Sequence, residues 1–102
     1  MSEITEFFVV RLSDEIAAKD ARAIARPVFC ELAGVKDWQT YKSTAVDRPT
    51  LFIEAFTFQN TGTAKAAGAQ FSILDETKAF LSQIEEMIVG QHFINITNGE
   101  TK

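Results

Sequence analysis

The stretch Thr50-Leu51-Phe52-Ile53-Glu54-Ala55-Phe56-Thr57-Phe58 decides the reading of this chain. Its β-branched and aromatic residues favour an extended backbone, whose successive side chains point to opposite faces. One face then carries Leu51, Ile53, Ala55 and Thr57; the other carries Phe52, Glu54, Phe56 and Phe58. Both faces are apolar. A strand covered on one side only should alternate apolar with polar residues, so this strand needs cover on both. Ile4–Leu12 repeats the pattern, with Phe7 and Val9 on one side and Phe8 and Val10 on the other.

The flanking segments complete the order. Ser13 offers an N-cap, followed by Asp14 and Glu15, where a helix dipole favours acids. A helix is expected from Ile16 to about Ala33, with Ala21, Ile24, Ala25, Val28 and Leu32 as its apolar stripe, a kink at Pro27 and a stop at Gly34. Trp38–Val46 is a weaker strand, diluted by polar residues. The turn Asp47-Arg48-Pro49 joins it to Thr50–Phe58 as a hairpin. Asn60–Phe71, rich in Ala and Gly, is expected to be a short helix. Asp75 is the next N-cap, leading a helix with the stripe Phe80, Ile84, Met87 and Ile88 that ends at Gly90. Gln91–Thr97 is the last strand, and the polar tail Asn98–Lys102 is expected to fray.

The order βαββααβ over a single domain, 1–102, gives an α+β class: a ferredoxin-like, four-stranded antiparallel sheet with helices on one face. The first and third strands are central and the weak second strand is at an edge. Right-handed crossovers place the helices on one face. The other face would then expose an apolar patch larger than monomers usually show. Burying each such side chain is worth about 1.5–3 kcal/mol. A second copy of the same sheet, packed across a twofold axis, is the simplest cover. The chain is therefore expected to be a homodimer through its sheet face.

Composition narrows the partners. The net charge of −4 argues against nucleic acid and anionic membrane. No apolar run approaches the roughly 20 residues of a membrane helix, and the acidic opening Met1–Glu6 does not resemble a secretory signal. A single cysteine, Cys30, fits a reducing cytoplasm and is expected to be a buried, inert thiol. With one histidine and no Cys/His/Asp cluster at ligand spacing, no metal is expected.

The first-strand Phe7-Phe8-Val9-Val10-Arg11, the passage Gly34…Trp38…Tyr41, the run Phe52-Ile53-Glu54-Ala55-Phe56 and the terminal Ile88-Val89-Gly90-Gln91-His92-Phe93 together resemble the dimeric α+β barrel proteins. The nearest branch is that of the antibiotic biosynthesis monooxygenase-like domains. The resemblance covers about Ile4 to Thr97 and implies a dimeric α+β barrel. Many members carry a His in the short helix after the third strand; here that helix, Thr63–Gln70, has none. The resemblance therefore speaks for fold and dimer more than for monooxygenase or haem chemistry. It implies a cofactor-independent, monooxygenase-like enzyme acting on an aromatic or polyketide-like molecule. The alternative is a non-catalytic dimeric module that binds a ligand or serves in stress, and a third reading is a subunit pairing with other proteins.

Glu54, alone among Phe52, Phe56 and Phe58, is the first candidate for acid–base catalysis, since burial would raise its pKa. Its other reading is a salt bridge with Arg11 or Arg48. His92 is the second candidate, as a proton shuttle near neutral pH, or else an exposed structural residue at the start of an edge strand. Trp38, Tyr41 and Phe56 are the candidate ligand-binding residues. Trp38 and Tyr41 are expected on opposite faces, with Trp38 suited to a pocket or, better, to the dimer interface. Ala64–Ala69 either packs closely on the sheet or leaves room for an apolar ligand. Asn95-Ile96-Thr97 matches a glycosylation sequon but is expected inside a strand, and Glu85-Glu86 on a solvated helix face.

Overall fold

The computed structural model describes residues 3–97. The tail 98–102, expected to fray, lies outside the described residues. The order is β1 (Ile4–Leu12), α1 (Glu15–Cys30), β2 (Val35–Lys42), β3 (Phe52–Phe58), α2 (Thr61–Phe71), α3 (Asp75–Leu81) and β4 (Ile84–Phe93). The sheet is antiparallel throughout, in the order β2-β3-β1-β4. The two most apolar strands are central and the polar β2 is at an edge, as their composition demands.

The cap of α1 is Asp14 rather than Ser13. Its carboxylate accepts from the Ala17 amide at 3.0 Å, while the Ser13 hydroxyl donates to the Gln83 carbonyl at 3.1 Å. Pro27 does not break the helix. It lies in the last turn on the exposed side, so the carbonyl it leaves without a donor meets water. The buried stripe is Ala18, Ala25 and Phe29, and the expected Ile24 is 62% exposed. Phe29 sets this rotation, packing edge-on against Trp38, Phe56, Phe58 and Phe71 at ring separations of 5.0–6.2 Å. Gly34 ends the passage at φ 82°, and a Cβ there would lie 2.4 Å from the Thr63 side chain. Glycine meets both demands. Asn60 caps α2 through a reciprocal pair with Thr63.

The largest departure lies at the C-terminal end. The second long helix stops at Leu81, and Ile84–Gly90 belongs to β4. Two register shifts in the β1–β4 ladder explain the misleading helical spacing. They pair Ile84 with Leu12 and Met87 with Val10. In a regular strand, side chains three apart face opposite ways; a bulge brings both to the same side. The helix cap is Leu74, with no side-chain bond, rather than Asp75. Glu85 and Glu86 are exposed on a strand, not a helix, and Glu86 pairs with Arg11 at 2.6 Å.

The ladder register assigns each face. Ile4, Glu6, Phe8, Val10, Phe52, Glu54, Phe56, Phe58, Trp38 and Thr40 face the helices. Phe7, Val9, Ile53, Ala55, Tyr41, Val89 and Phe93 share the other side, where Phe7 and Phe93 meet edge-on at 5.3 Å. Among the described residues no helix covers this second face. No helix among them is long and apolar enough to cross a membrane.

Candidate functional site

A cavity of about 230 Å³ lies between the sheet and the helices. Six phenylalanines line it: Phe8, Phe56 and Phe58 from the sheet, and Phe29, Phe71 and Phe80 from the helices. Ile84 and Met87 close its β4 side, both turned inward by the bulged register. The Ala/Gly segment of α2 divides its labour. Ala64 and Ala67 are buried against the core, whereas Gly68 lines the cavity and a Cβ there would meet nothing within 4 Å. Close packing and open space are both present, one helical turn apart.

Two carboxylates, Glu54 and Glu6, reach the wall of this cavity. They stand on adjacent strands and the same face, Glu6 opposite Phe56 and Glu54 opposite Phe8. Glu54 is 1% exposed. Its Oε1 accepts from Arg22 Nε at 3.1 Å, Trp38 Nε1 at 2.8 Å and the Thr40 hydroxyl at 2.7 Å; its Oε2 accepts from Arg22 Nη2 at 2.6 Å. The salt bridge is therefore to Arg22 of α1, neither to Arg11 nor to Arg48. Arg22 reaches the carboxylate in a fork and also lies 5.1 Å from the centre of the Phe80 ring. Both oxygens of Glu54 are thus occupied, and the planar guanidinium matches the carboxylate in geometry.

Glu6 is held differently. His92 Nε2 stands 3.4 Å from its Oε2, and the side chains are 19% (Glu6) and 39% (His92) exposed. Burial holds the Glu6 carboxyl above its ordinary pKa, against the opposing charge and hydrogen bond of His92. His92 is thus not at the start of its strand but near the end of β4, facing Glu6 across the ladder. The pair joins the cavity wall to the solvent.

Of the other residues singled out in the sequence, Phe56 lines the cavity and Trp38 does not. Trp38 is fully buried on the helix side, 4.7 Å from Phe56 ring to ring, with its indole donating to Glu54. That removes it from the sheet-face interface. Tyr41 is on the opposite face, 55% exposed beside Ile53. Cys30 is half-buried, and burial pushes its thiol pKa up, away from nucleophilic use. The sequon residue Asn95 lies beyond β4 rather than inside a strand and is exposed, accepting from the Thr97 amide at 2.7 Å. No cluster of metal-binding side chains occurs among the described residues.

Glu6, Arg22 and Thr40 were not found by sequence reasoning. A signal for Glu6 existed: it interrupts the row Ile4, Phe8, Val10 as Glu54 interrupts Phe52, Phe56, Phe58. Each of the two central strands carries a single acid on its inward-facing row. Arg22 had no such signal, because its role depends on where α1 lies over the sheet.

Neither family models nor curated proteins match the sequence. Solved structures do match in shape. A provisionally assigned antibiotic biosynthesis monooxygenase from Bordetella bronchiseptica superposes with TM-score 0.73 at 14% identity, over 91% of this chain and 96% of that one. SnoaB, a cofactor-independent oxygenase from Streptomyces nogalater, gives 0.66 at 14% identity, over 99% and 97%. A dimeric protein of unknown function and ferredoxin-like fold from Bacteroides fragilis gives 0.66 at 8% identity, over 93% and 98%. The chain has the fold of the antibiotic biosynthesis monooxygenase-like proteins. At these identities the likeness concerns the fold alone.

Proposed function

We propose that this chain is a homodimeric, cofactor-independent monooxygenase-like enzyme that takes a compact hydroxylated aromatic molecule into its phenylalanine-lined cavity. The observation that carries the reading is the Glu6–His92 pair at the cavity wall. A purely storage-like pocket has no need of an acid–base pair leading outward. The volume lies below the roughly 300–1,000 Å³ of pockets for drug-sized ligands, which favours a ligand of a few rings. Aromatic edges and faces suit an aromatic guest.

In this reading Glu6 is the general base. Its raised pKa brings it nearer the working range for proton abstraction. It takes the proton of a phenolic hydroxyl, and His92, which touches water, relays that proton outward. The phenolate left in the apolar cavity is electron-rich and reduces dioxygen: a ring C–O bond forms to give a hydroperoxide, whose O–O bond breaks as water leaves with the ring hydrogen, giving a quinone, so that the substrate itself supplies the four electrons. Glu54 is the fixed partner of Arg22, its two oxygens occupied by four hydrogen bonds. The second copy covers the open sheet face, and a dimeric neighbour of the same fold supports this arrangement.

Oxygen uptake with a dihydroxynaphthalene as probe tests the reading. The expected result is saturable uptake that falls about 10²–10⁴-fold in Glu6→Gln and less in His92→Gln. Saturable binding of the same probe without oxygen uptake would instead assign a non-catalytic ligand-binding module. A sedimentation equilibrium mass of one chain at micromolar concentration would overturn the dimer.

A further inference from the structure

We propose a second binding site, for a phosphate group, in the groove between α1 and the free edge of β2. This groove encloses about 310 Å³ and is lined by Lys19, Arg22, Ala23 and Arg26 of α1 and by Gln39 and Thr40 of β2. It shares Arg22 and Thr40 with the Glu54 network, and none of its lining residues lines the aromatic cavity.

Lys19, Arg22 and Arg26 stand at i, i+3 and i+7, so they share one helix face. Like charges so placed repel each other. Among the described residues only Arg22 has an acid partner, the buried Glu54, and neither Lys19 nor Arg26 makes a salt bridge. By contrast, nearby Lys42 is matched to Glu15 at 2.8 Å. Some lining donors are already engaged: Arg22 and the Thr40 hydroxyl donate to Glu54, the Gln39 amide donates to Asp37 at 2.7 Å, and Arg26 donates to the Trp38 carbonyl. That last bond anchors one arm of the Arg26 guanidinium at the strand edge and leaves its remaining N–H groups for a ligand.

The lining itself carries three cations and no acid, with Glu54 behind Arg22 and Asp37 beside Gln39 as adjoining carboxylates, in a chain whose net charge is −4. A concave surface lined by like charge focuses its field outward. The remaining N–H groups of Arg26 and Arg22 and the Lys19 ammonium, three separate donors, match a phosphate in geometry and in charge better than a single carboxylate, which two of these donors would saturate. Arg22 couples the two sites. An anion that draws on its guanidinium competes with Glu54, and Trp38, the chain's single tryptophan, donates to that same carboxylate.

The experiment is a titration of the intact protein with inorganic phosphate at constant ionic strength, followed by amide NMR shifts. Saturable shifts confined to residues 19–26 and 38–40, with millimolar affinity, are expected. They should weaken at least tenfold in Lys19→Ala/Arg26→Ala, with unchanged amide shifts elsewhere showing the fold intact, and about as much in Lys19→Ala/Arg26→Gln, which keeps a donor to the Trp38 carbonyl. Phenyl phosphate should bind as well as phosphate, and succinate at least several-fold more weakly. The proposal is overturned by the absence of saturation, by shifts that sodium chloride reproduces, by shifts centred on other cations such as Arg48 or Lys65, or by equal binding of succinate. None of these outcomes bears on whether the aromatic cavity turns over a substrate.

Discussion

Glu54 and Glu6 face one cavity from neighbouring strands, yet their surroundings differ in kind. Glu54 is the more deeply buried and the better satisfied, with four donors and a full counter-charge. Glu6 is less buried, and its one side-chain partner in the described residues, His92, stands at 3.4 Å and partly in water. Burial depth alone would choose Glu54 as the chemically perturbed group. The donors choose Glu6, because desolvation uncompensated by partners is what makes a carboxylate basic.

The strongest way to break this contrast is Arg22→Ala. It leaves the Glu54 carboxylate buried without its counter-charge, a change that costs about 3–5 kcal/mol; urea unfolding should show a loss of that order. Glu54→Gln should cost less, about 2 kcal/mol, because Arg22 borders the exposed groove and can turn toward water. Both substitutions should also shift Trp38 emission, since its indole loses a charged acceptor.

Glu6 should behave in the opposite sense. Its folded pKa lies above the unfolded one, so the folded state binds the proton more tightly. Stability is then greatest below the ordinary carboxylate range and falls as pH rises through it toward the raised value. Glu6→Gln should remove that fall and leave the protein as stable as the parent, or more so by under about 1 kcal/mol, at neutral pH. A stability–pH profile of the two proteins checks both sign and window. Gly68→Ala gives the smallest effect. A Cβ has room there, so α2 should gain about 0.5–1 kcal/mol, while the cavity shrinks and both carboxylates stay as they are.

Much of the fold is legible in residue patterns. The runs at Ile4–Leu12 and Thr50–Phe58 announce central strands, and the polar Trp38–Lys42 segment announces an edge. The boundary at Leu81 is not legible, because a bulged strand can mimic the spacing of a helix. Ile24 was read into the core for a similar reason. Its helix admits two rotations by apolar count, and the contacts of Phe29 choose between them. At the site, Glu54 stands out as the acid in an apolar row, and so, on the same rule, does Glu6. Their partners do not stand out: Arg22 is 32 residues from Glu54, and His92 is paired with Glu6 through a ladder that closes the two ends of the chain.

Strand alternation in the sequence suffices for a sheet apolar on both faces, with one acid on the inward row of each central strand. Local chemistry suffices for that, because strand alternation needs only neighbouring residues. Tertiary structure alone decided which acid is tied down and which is left to exchange a proton. That choice depends on where α1 sets Arg22 and where the bulged β4 sets His92, distances that no local pattern encodes.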